Sequence, residues 1–347
     1  MSNVTLLAID LAKNNFQLHG TDAYGKNIIN KKISREKLPQ FMANLNPCNV
    51  YMEGCSSANY WGRQFKEFGH KVKLINPKYV KPYVKRNKND KNDSIAIASA
   101  ARDPEMTFGE VKTEEQQDIQ STHRIRSHLV SQRTSLVNMI RGLLSEYGIV
   151  AAKGVDNIRK CLPKILGNNE YDLNHLMLVN LQGLYESLIR LDEQLKKYDN
   201  LIEYIFKGSE TCKRLEKIPG VGKLGSTILA AALGNGAGFK NGRHFAAFLG
   251  LVPKQYSSGN KEKLLGISKG GDTYIRTILI HGARALLTYA DKKSDNNSIW
   301  LKNLKARSGS NIAAVAMANK IARTAWALVH EDCEYNPSYK PSLCINK

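Results

Sequence analysis

Apolar and polar positions change their period along the chain. Residues 4–9 form an apolar run that closes at Asp10, which predicts a buried central strand. Phe16–Gly20 and Ile28–Ile33 predict the next two strands, with Tyr24-Gly25-Lys26 as a turn between them. Leu38–Leu45 reads as a helix, Asn49–Glu53 as a short strand and Ser57–Phe68 as a second helix. Val72–Asn76 predicts a further strand, stopped by Pro77, and Asp90–Arg102 a helix with small apolar residues on one face. Three meandering strands followed by alternating helices and strands predict an α/β layered domain over residues 1–112.

The period then becomes helical. Leu184, Leu188, Leu191, Leu195, Tyr198, Ile202 and Ile205 follow one another in alternating steps of 4 and 3, a heptad seam. Ile125, Leu129, Leu136, Ile140, Leu143 and Tyr147 make a similar stripe, broken by Gln132. Residues 113–207 are therefore expected to form a helical coiled-coil spacer that pairs chains, an intramolecular helical hairpin being the alternative. Residues 208–331 form a third, mainly α segment, with a tail over 332–347. This segment opens with Ile218-Pro219-Gly220-Val221-Gly222 before an Ala-rich helix, the pattern of a helix-hairpin-helix motif. Glycines there permit positive φ, and successive N–H groups near a helix N-terminus suit a phosphate. An ordinary Gly-rich turn between helices fits the same residues.

Charge sharpens this division. The 347 residues carry 51 Lys+Arg against 31 Asp+Glu, a formal charge of +20. Residues 1–112 hold +8, residues 113–212 hold −1 and residues 213–347 hold +13. Two basic ends around a balanced middle point to a polyanion gripped at two places. The expected backbone contacts are Lys81, Lys85, Arg86 and Lys88 in the first segment. In the third they are Gly220, Gly222, Lys223, Lys254, Lys261, Lys269 and Arg276. A membrane surface is the weaker choice, because the apolar stretch Asn311–His330 contains Lys320 and Arg323. The start of the chain has no basic region ahead of its apolar run, so no signal peptide is expected. Six scattered cysteines without a Cys-x-x-Cys pair argue for thiols in a reducing cytoplasm.

Four carboxylates stand out by position. Asp10 and Glu53 end predicted strands, and Asp90 and Asp93 stand three apart, on one face of a predicted helix. Residues 71–91 hold eight basic residues and a single acid, Asp90. Such a surface attracts phosphates, and hard cations such as Mg²⁺ take several carboxylate oxygens in two-metal phosphodiester chemistry. Strand-end turns and helix caps are the plainer roles for the same residues.

These residues carry a resemblance. Residues 4–102 resemble the ribonuclease H/RuvC-like fold with an Asp-Glu-Asp-Asp set. The stretch Lys88-Asn89-Asp90-Lys91-Asn92-Asp93-Ser94-Ile95-Ala96 is similar to the form that set takes in the Piv/MooV-like recombinases, transposases of insertion sequences that use a bridging RNA. The likeness resumes in Ile218–Gly222, in Phe245-Ala246-Ala247-Phe248-Leu249-Gly250-Leu251-Val252-Pro253, in Gln255-Tyr256-Ser257-Ser258-Gly259 and in Gly266-Ile267-Ser268-Lys269-Gly270-Gly271. It spans about residues 1–330 in family order.

By itself, the polar island Lys254–Asp272 places hydroxyls among lysines, which suits attack on a phosphodiester as well as it suits a simple turn. The resemblance implies that Ser258 is the nucleophile, with Ser257 and then Tyr256 as alternatives. It further implies Mg²⁺ held by Asp10, Glu53, Asp90 and Asp93, and DNA and a guide RNA as partners. A homo-oligomer is expected, a dimer or tetramer, whose site combines residues of different subunits. No Walker-type loop is present, in keeping with strand exchange without ATP. Three other functions remain open at this level: a RuvC-like nuclease using water, a non-catalytic nucleic-acid-binding protein, and a sugar-kinase-like ATPase suggested by Ile9-Asp10-Leu11.

Overall fold

The computed structural model describes residues 4–85, 89–167, 171–258 and 262–338. The chain divides into two compact units, residues 1–114 and 115–347.

The first unit is built on a mixed six-stranded sheet. Its strands are β1 (Leu6–Asp10), β2 (Asn15–Thr21), β3 (Asn27–Ser34), β4 (Asn49–Glu53), β5 (Lys71–Ile75) and the two-residue β6 (Phe108–Gly109). The order is β3-β2-β1-β4-β5-β6. β1, β2 and β3 form an antiparallel meander, while β4 and β5 join β1 in parallel. This mixed sheet with its helices is consistent with the ribonuclease H-like fold. Successive side chains alternate between faces. Leu7, Ile9, Phe16, Leu18, Val50, Met52, Val72 and Leu74 fill one face, beneath α1 (Leu38–Ala43) and α2 (Ala58–Glu67). Each such side chain contributes roughly 1.5–3 kcal/mol by leaving water. The opposite face carries Ala8 and Ile75, packed on Ala96, Ile97 and Ala100 of α4 (Asp90–Ala101). The alanines of α4 let its backbone lie close to the strands. β6 was not expected from the sequence; it is too short to show a period, and pairing with β5 alone defines it.

The second unit begins with α5 (Glu114–Glu146), α6 (Val155–Leu166) and α7 (His175–Gly208). Arg126 meets Asp199 at 2.6 Å and Arg133 meets Asp192 at 3.0 Å, so α5 and α7 run antiparallel. Val137, Ile140 and Leu144 of α5, Ile158, Leu162 and Ile165 of α6, and Leu181 and Leu188 of α7 share one core. Part of the expected seam is covered from within the chain, as in the alternative of an intramolecular helical hairpin. Leu188, Leu195 and Ile202 are buried within the chain, and Leu184, Leu191, Tyr198 and Ile205 are half-buried. A heptad line marks a narrow apolar stripe without saying whose helix covers it.

The remaining helices pack around a second core. They are α8 (Glu210–Glu216), α9 (Lys223–Leu233), α10 (Gly242–Phe248), α11 (Thr273–Tyr289), α12 (Asn296–Ser308) and α13 (Ser310–His330). α13 is long and apolar enough to cross a membrane by composition. Its Ala314, Met317, Ala318, Ile321, Ala322 and Ala325 are buried in that core, as for the central helix of a globular unit. A two-stranded hairpin, β7 (Pro253–Gln255) with β8 (Leu264–Ile267), projects between α10 and α11 in sequence.

Candidate functional site

Cross-strand register gathers the acidic residues of the first unit. Leu6 to Ile9 pair with Asn49 to Met52 in parallel, so the next step along both strands sets Asp10 beside Glu53. Both then share the face of Ala8 and Tyr51, the face covered by α4. Asp10 also pairs with Gln17, and Gln17 with Lys32, which completes a row Lys32, Gln17, Asp10, Glu53 across the sheet.

Two contacts orient α4 over that row. Lys32 Nζ lies 3.2 Å from Asp90 Oδ2 at the start of the helix. Arg102, just past its end, donates to Thr21 Oγ1 at 2.7 Å. Because Thr21 pairs with Leu6, α4 runs antiparallel to β1, and its N-terminus lies at the Asp10 end. The cap is Asn89, whose side chain accepts from the Asn92 N–H at 2.8 Å. Asp90 and Asp93 are therefore not needed as caps. Asp93 is half-buried, one turn before Ile97 on the packed side of the helix, while Asp90 is exposed.

The strand-end turn after Glu53 belongs to the same neighbourhood. Burial pushes the Cys55 thiol up, and the charges of Glu53 and Asp10 push it the same way. Ser57, the N-cap of α2, has φ of 68°, a conformation that costs a non-glycine residue about 1–3 kcal/mol. The donor chemistry is that of a hard divalent cation, four carboxylates at one end of one face. Among the described residues, no three His, Cys, Asp or Glu side chains converge closely enough to share one ion, and Asp90 meets the Lys32 ammonium instead.

Ser258 belongs to the second unit. It is exposed, just past β7 on the hairpin. The Tyr256 N–H donates to Lys263 O at 2.9 Å, and Gln255 Nε2 donates to Ser257 Oγ at 3.1 Å. The hairpin's base is locked by backbone packing. Gly250 and Gly271 have φ of 70° and 73°, and a Cβ on Gly271 would stand 1.7 Å from Phe248 O. Side chains are excluded at both positions. Thus the glycines quoted from these motifs hold the two ends of the hairpin together.

The expected nucleic-acid contacts divide. Lys81, Lys85, Lys254 and Lys269 are exposed. Arg86, Lys88 and Lys261 lie outside the described residues. Arg276 is corrected: its side chain is buried, and Nη1 donates to Leu249 O at 2.9 Å and Gly270 O at 3.0 Å. It ties α11 to the hairpin base and has no face for a phosphate. Lys223 is exposed but lies 2.6 Å from a Glu203 carboxylate oxygen. Gly220 has φ of 84° and packs on Gly282 of α11, and the Val221 N–H is taken by Ile218 O at 3.0 Å. Lys32 and Gln17 escaped the sequence reading. An alternating strand pattern was their available signal, but their place in the row depends on register.

Comparison with known proteins follows the same division. Residues 7–149 match a family model described as "Transposase", of the DEDD type, and residues 212–297 match one described as "Transposase IS116/IS110/IS902 family". The chain is 46% identical over 95% of its length to the "Transposase for insertion sequence element IS1111A" of Coxiella burnetii, covering 90% of that protein. It is 41% identical over 96% of its length to a "Probable family 20 transposase" of Pseudomonas aeruginosa, covering 99% of it. At 23% identity over 76% of its length it also resembles the "Pilin gene-inverting protein" of Moraxella bovis, covering 74% of that protein.

Proposed function

Since the chain belongs to the IS116/IS110/IS902 transposase family, we propose that it cuts and rejoins DNA strands with four carboxylates and a serine. The carboxylates are Asp10, Glu53, Asp90 and Asp93, and the nucleophile is Ser258. The observation that carries this reading is the sharing of one end of one sheet face by Asp10, Glu53 and the α4 N-terminus.

In this reading the Ser258 hydroxyl attacks the phosphorus of the scissile phosphodiester. Its proton passes to solvent, and the bond from phosphorus to one sugar oxygen breaks, that oxygen taking a proton from solvent to leave as a free sugar hydroxyl. The resulting serine–DNA phosphodiester keeps the bond energy for rejoining. Asp10, Glu53, Asp90 and Asp93 would hold Mg²⁺, which supplies charge stabilisation at the phosphoryl oxygens. Lys254, Lys263 and Lys269 offer positive charge along the strand that reaches the hairpin, and Lys81 and Lys85 do so in the first unit. Contacts of this kind carry no sequence information. From the family resemblance alone, we further propose that a guide RNA chooses the target and that the protein works in the cytoplasm as a dimer or tetramer.

The test compares Asp10→Asn and Ser258→Ala with the unaltered protein on its own insertion-sequence ends with the co-purifying RNA. Ser258→Ala is expected to trap no covalent DNA adduct while binding DNA normally. Asp10→Asn is expected to cut more than about a hundredfold more slowly, as befits loss of a metal ligand. Cutting that persists in Ser258→Ala would reject Ser258: with a covalent adduct still formed, the nucleophile is Ser257 or Tyr256, and with none formed it is water and the protein is a structure-selective nuclease. Full activity of Asp10→Asn would reject the carboxylate site.

A further inference from the structure

The first unit carries another basic surface, on the strand beside the carboxylate row. Between Ala23 and Met52, Lys26, Lys31, Lys32, Arg35 and Lys37 stand against Glu36 alone. β3 is an edge strand: it pairs with β2, and among the described residues no strand pairs with its other side. Lys31, Lys32 and Lys37 are exposed, and with Ile33, Ser34 and Phe41 they line an open cavity of about 330 Å³. Lys31 points to the α1 side, its ammonium 4.2 Å from the centre of the Phe41 ring. Lys32 points to the opposite side and reaches Asp90. Positive charge thus wraps around the end of β3 from one face of the sheet to the other.

The register links this edge to the proposed chemistry. Lys32 and Asp10 lie in one row, separated by β2 alone, about 10 Å apart at two inter-strand spacings. A nucleic-acid strand lying along this row with one phosphate at Asp10 would carry its neighbouring phosphates toward β3 on one side and β5 on the other. Lysines on an edge strand also discourage pairing with other chains. That purpose is served by either sign of charge, and it does not account for Lys37, which lies beyond the strand.

We propose that the outer edge of β3 and the start of α1, through Lys31 and Lys37, bind the sugar-phosphate backbone of the DNA strand cut at the carboxylates. This rests on the function proposed above, which puts the cut at Asp10. Lys32 supplies the junction, since its ammonium bridges the basic edge and Asp90.

The full chain carrying K31E and K37E tests the proposal. Either sign of charge protects the edge, so the double variant should remain as soluble as the unaltered protein. Binding is read by fluorescence anisotropy on short labelled duplex DNA, single-stranded DNA and single-stranded RNA across a salt titration. On DNA the affinity should fall, and the slope of log affinity against log salt should shrink. The expected loss is about 0.9 per lost contact on duplex and about 0.7 on single strands. An unchanged slope on both DNA forms would overturn the proposal, as would a loss confined to RNA. Two controls separate this result from the function itself. If unaltered protein shows no salt-dependent DNA binding, the function falls with the surface. If it binds, and Asp10→Asn abolishes cutting while K31E/K37E binds normally, only the surface falls.

Discussion

His123 lies fully buried between α5, α9 and α11, its ring nitrogens 3.0 Å from the Tyr274 hydroxyl and 3.0 Å from the Thr227 hydroxyl. Burial, helped by the nearby Arg126 charge, pushes its pKa down from 6.5 to about 4. Between those values the unfolded chain binds more protons than the folded one. Stability therefore falls as pH drops through this window, by up to about 3 kcal/mol for this one group. Urea denaturation at several pH values should show that slope, and His123→Gln should flatten it. Arg276 makes the complementary point about charge. In sequence it lies in a basic segment of the chain and reads as a phosphate contact, but its guanidinium is buried on two carbonyls. Composition cannot separate an arginine that meets solvent from one that ties a loop, because both carry the same charge.

At the scale of elements, α5, α6 and α7 are joined by Asp192, which Arg133 meets at 3.0 Å and Arg159 at 2.6 Å. Burial pushes the Asp192 carboxyl up, but the hydrogen bonds from Arg159 and Arg133 outweigh it and hold it below the usual carboxylate value. The contribution is thus present at neutral pH and lost as pH falls through the carboxylate range. Asp192→Ala should lower stability by about 1.5–3 kcal/mol, as for other hydrogen bonds to charged groups, measured by urea unfolding at neutral pH. The helices themselves were legible, since Leu188, Leu195 and Ile202 repeat every seven residues. Their partner was not, because a seam records the width of an apolar stripe and leaves its cover open. β1, β4 and β5 were legible within a residue or two for a similar reason, their apolar runs being bounded by Asp10, Glu53 and Pro77. The row Lys32, Gln17, Asp10, Glu53 was not, since a shift of one residue in register would move each side chain to the other face.

At the scale of the molecule, the carboxylates and Ser258 belong to different compact units. If the working site combines them from different subunits of an oligomer, activity should survive the loss of each group in a different chain. A mixture of Asp10→Asn and Ser258→Ala proteins should then recover part of the strand exchange that each lacks alone. Light scattering on the same mixture should report a dimer or larger. Mixed chains that stay inactive while assembled would place both groups in one chain. The amino-acid sequence by itself determined the strand ends that bear Asp10 and Glu53, the helix that bears Asp90 and Asp93, and the two basic ends of the chain. These follow from local period, breakers and charge, which neighbouring residues set. Only the tertiary structure decided that α4 lies antiparallel to β1, that Lys32 meets Asp90, that Arg276 is buried and that Leu188, Leu195 and Ile202 of the heptad line are covered from within. Those depend on which distant segments desolvate one another and in what register, and no local pattern carries that information.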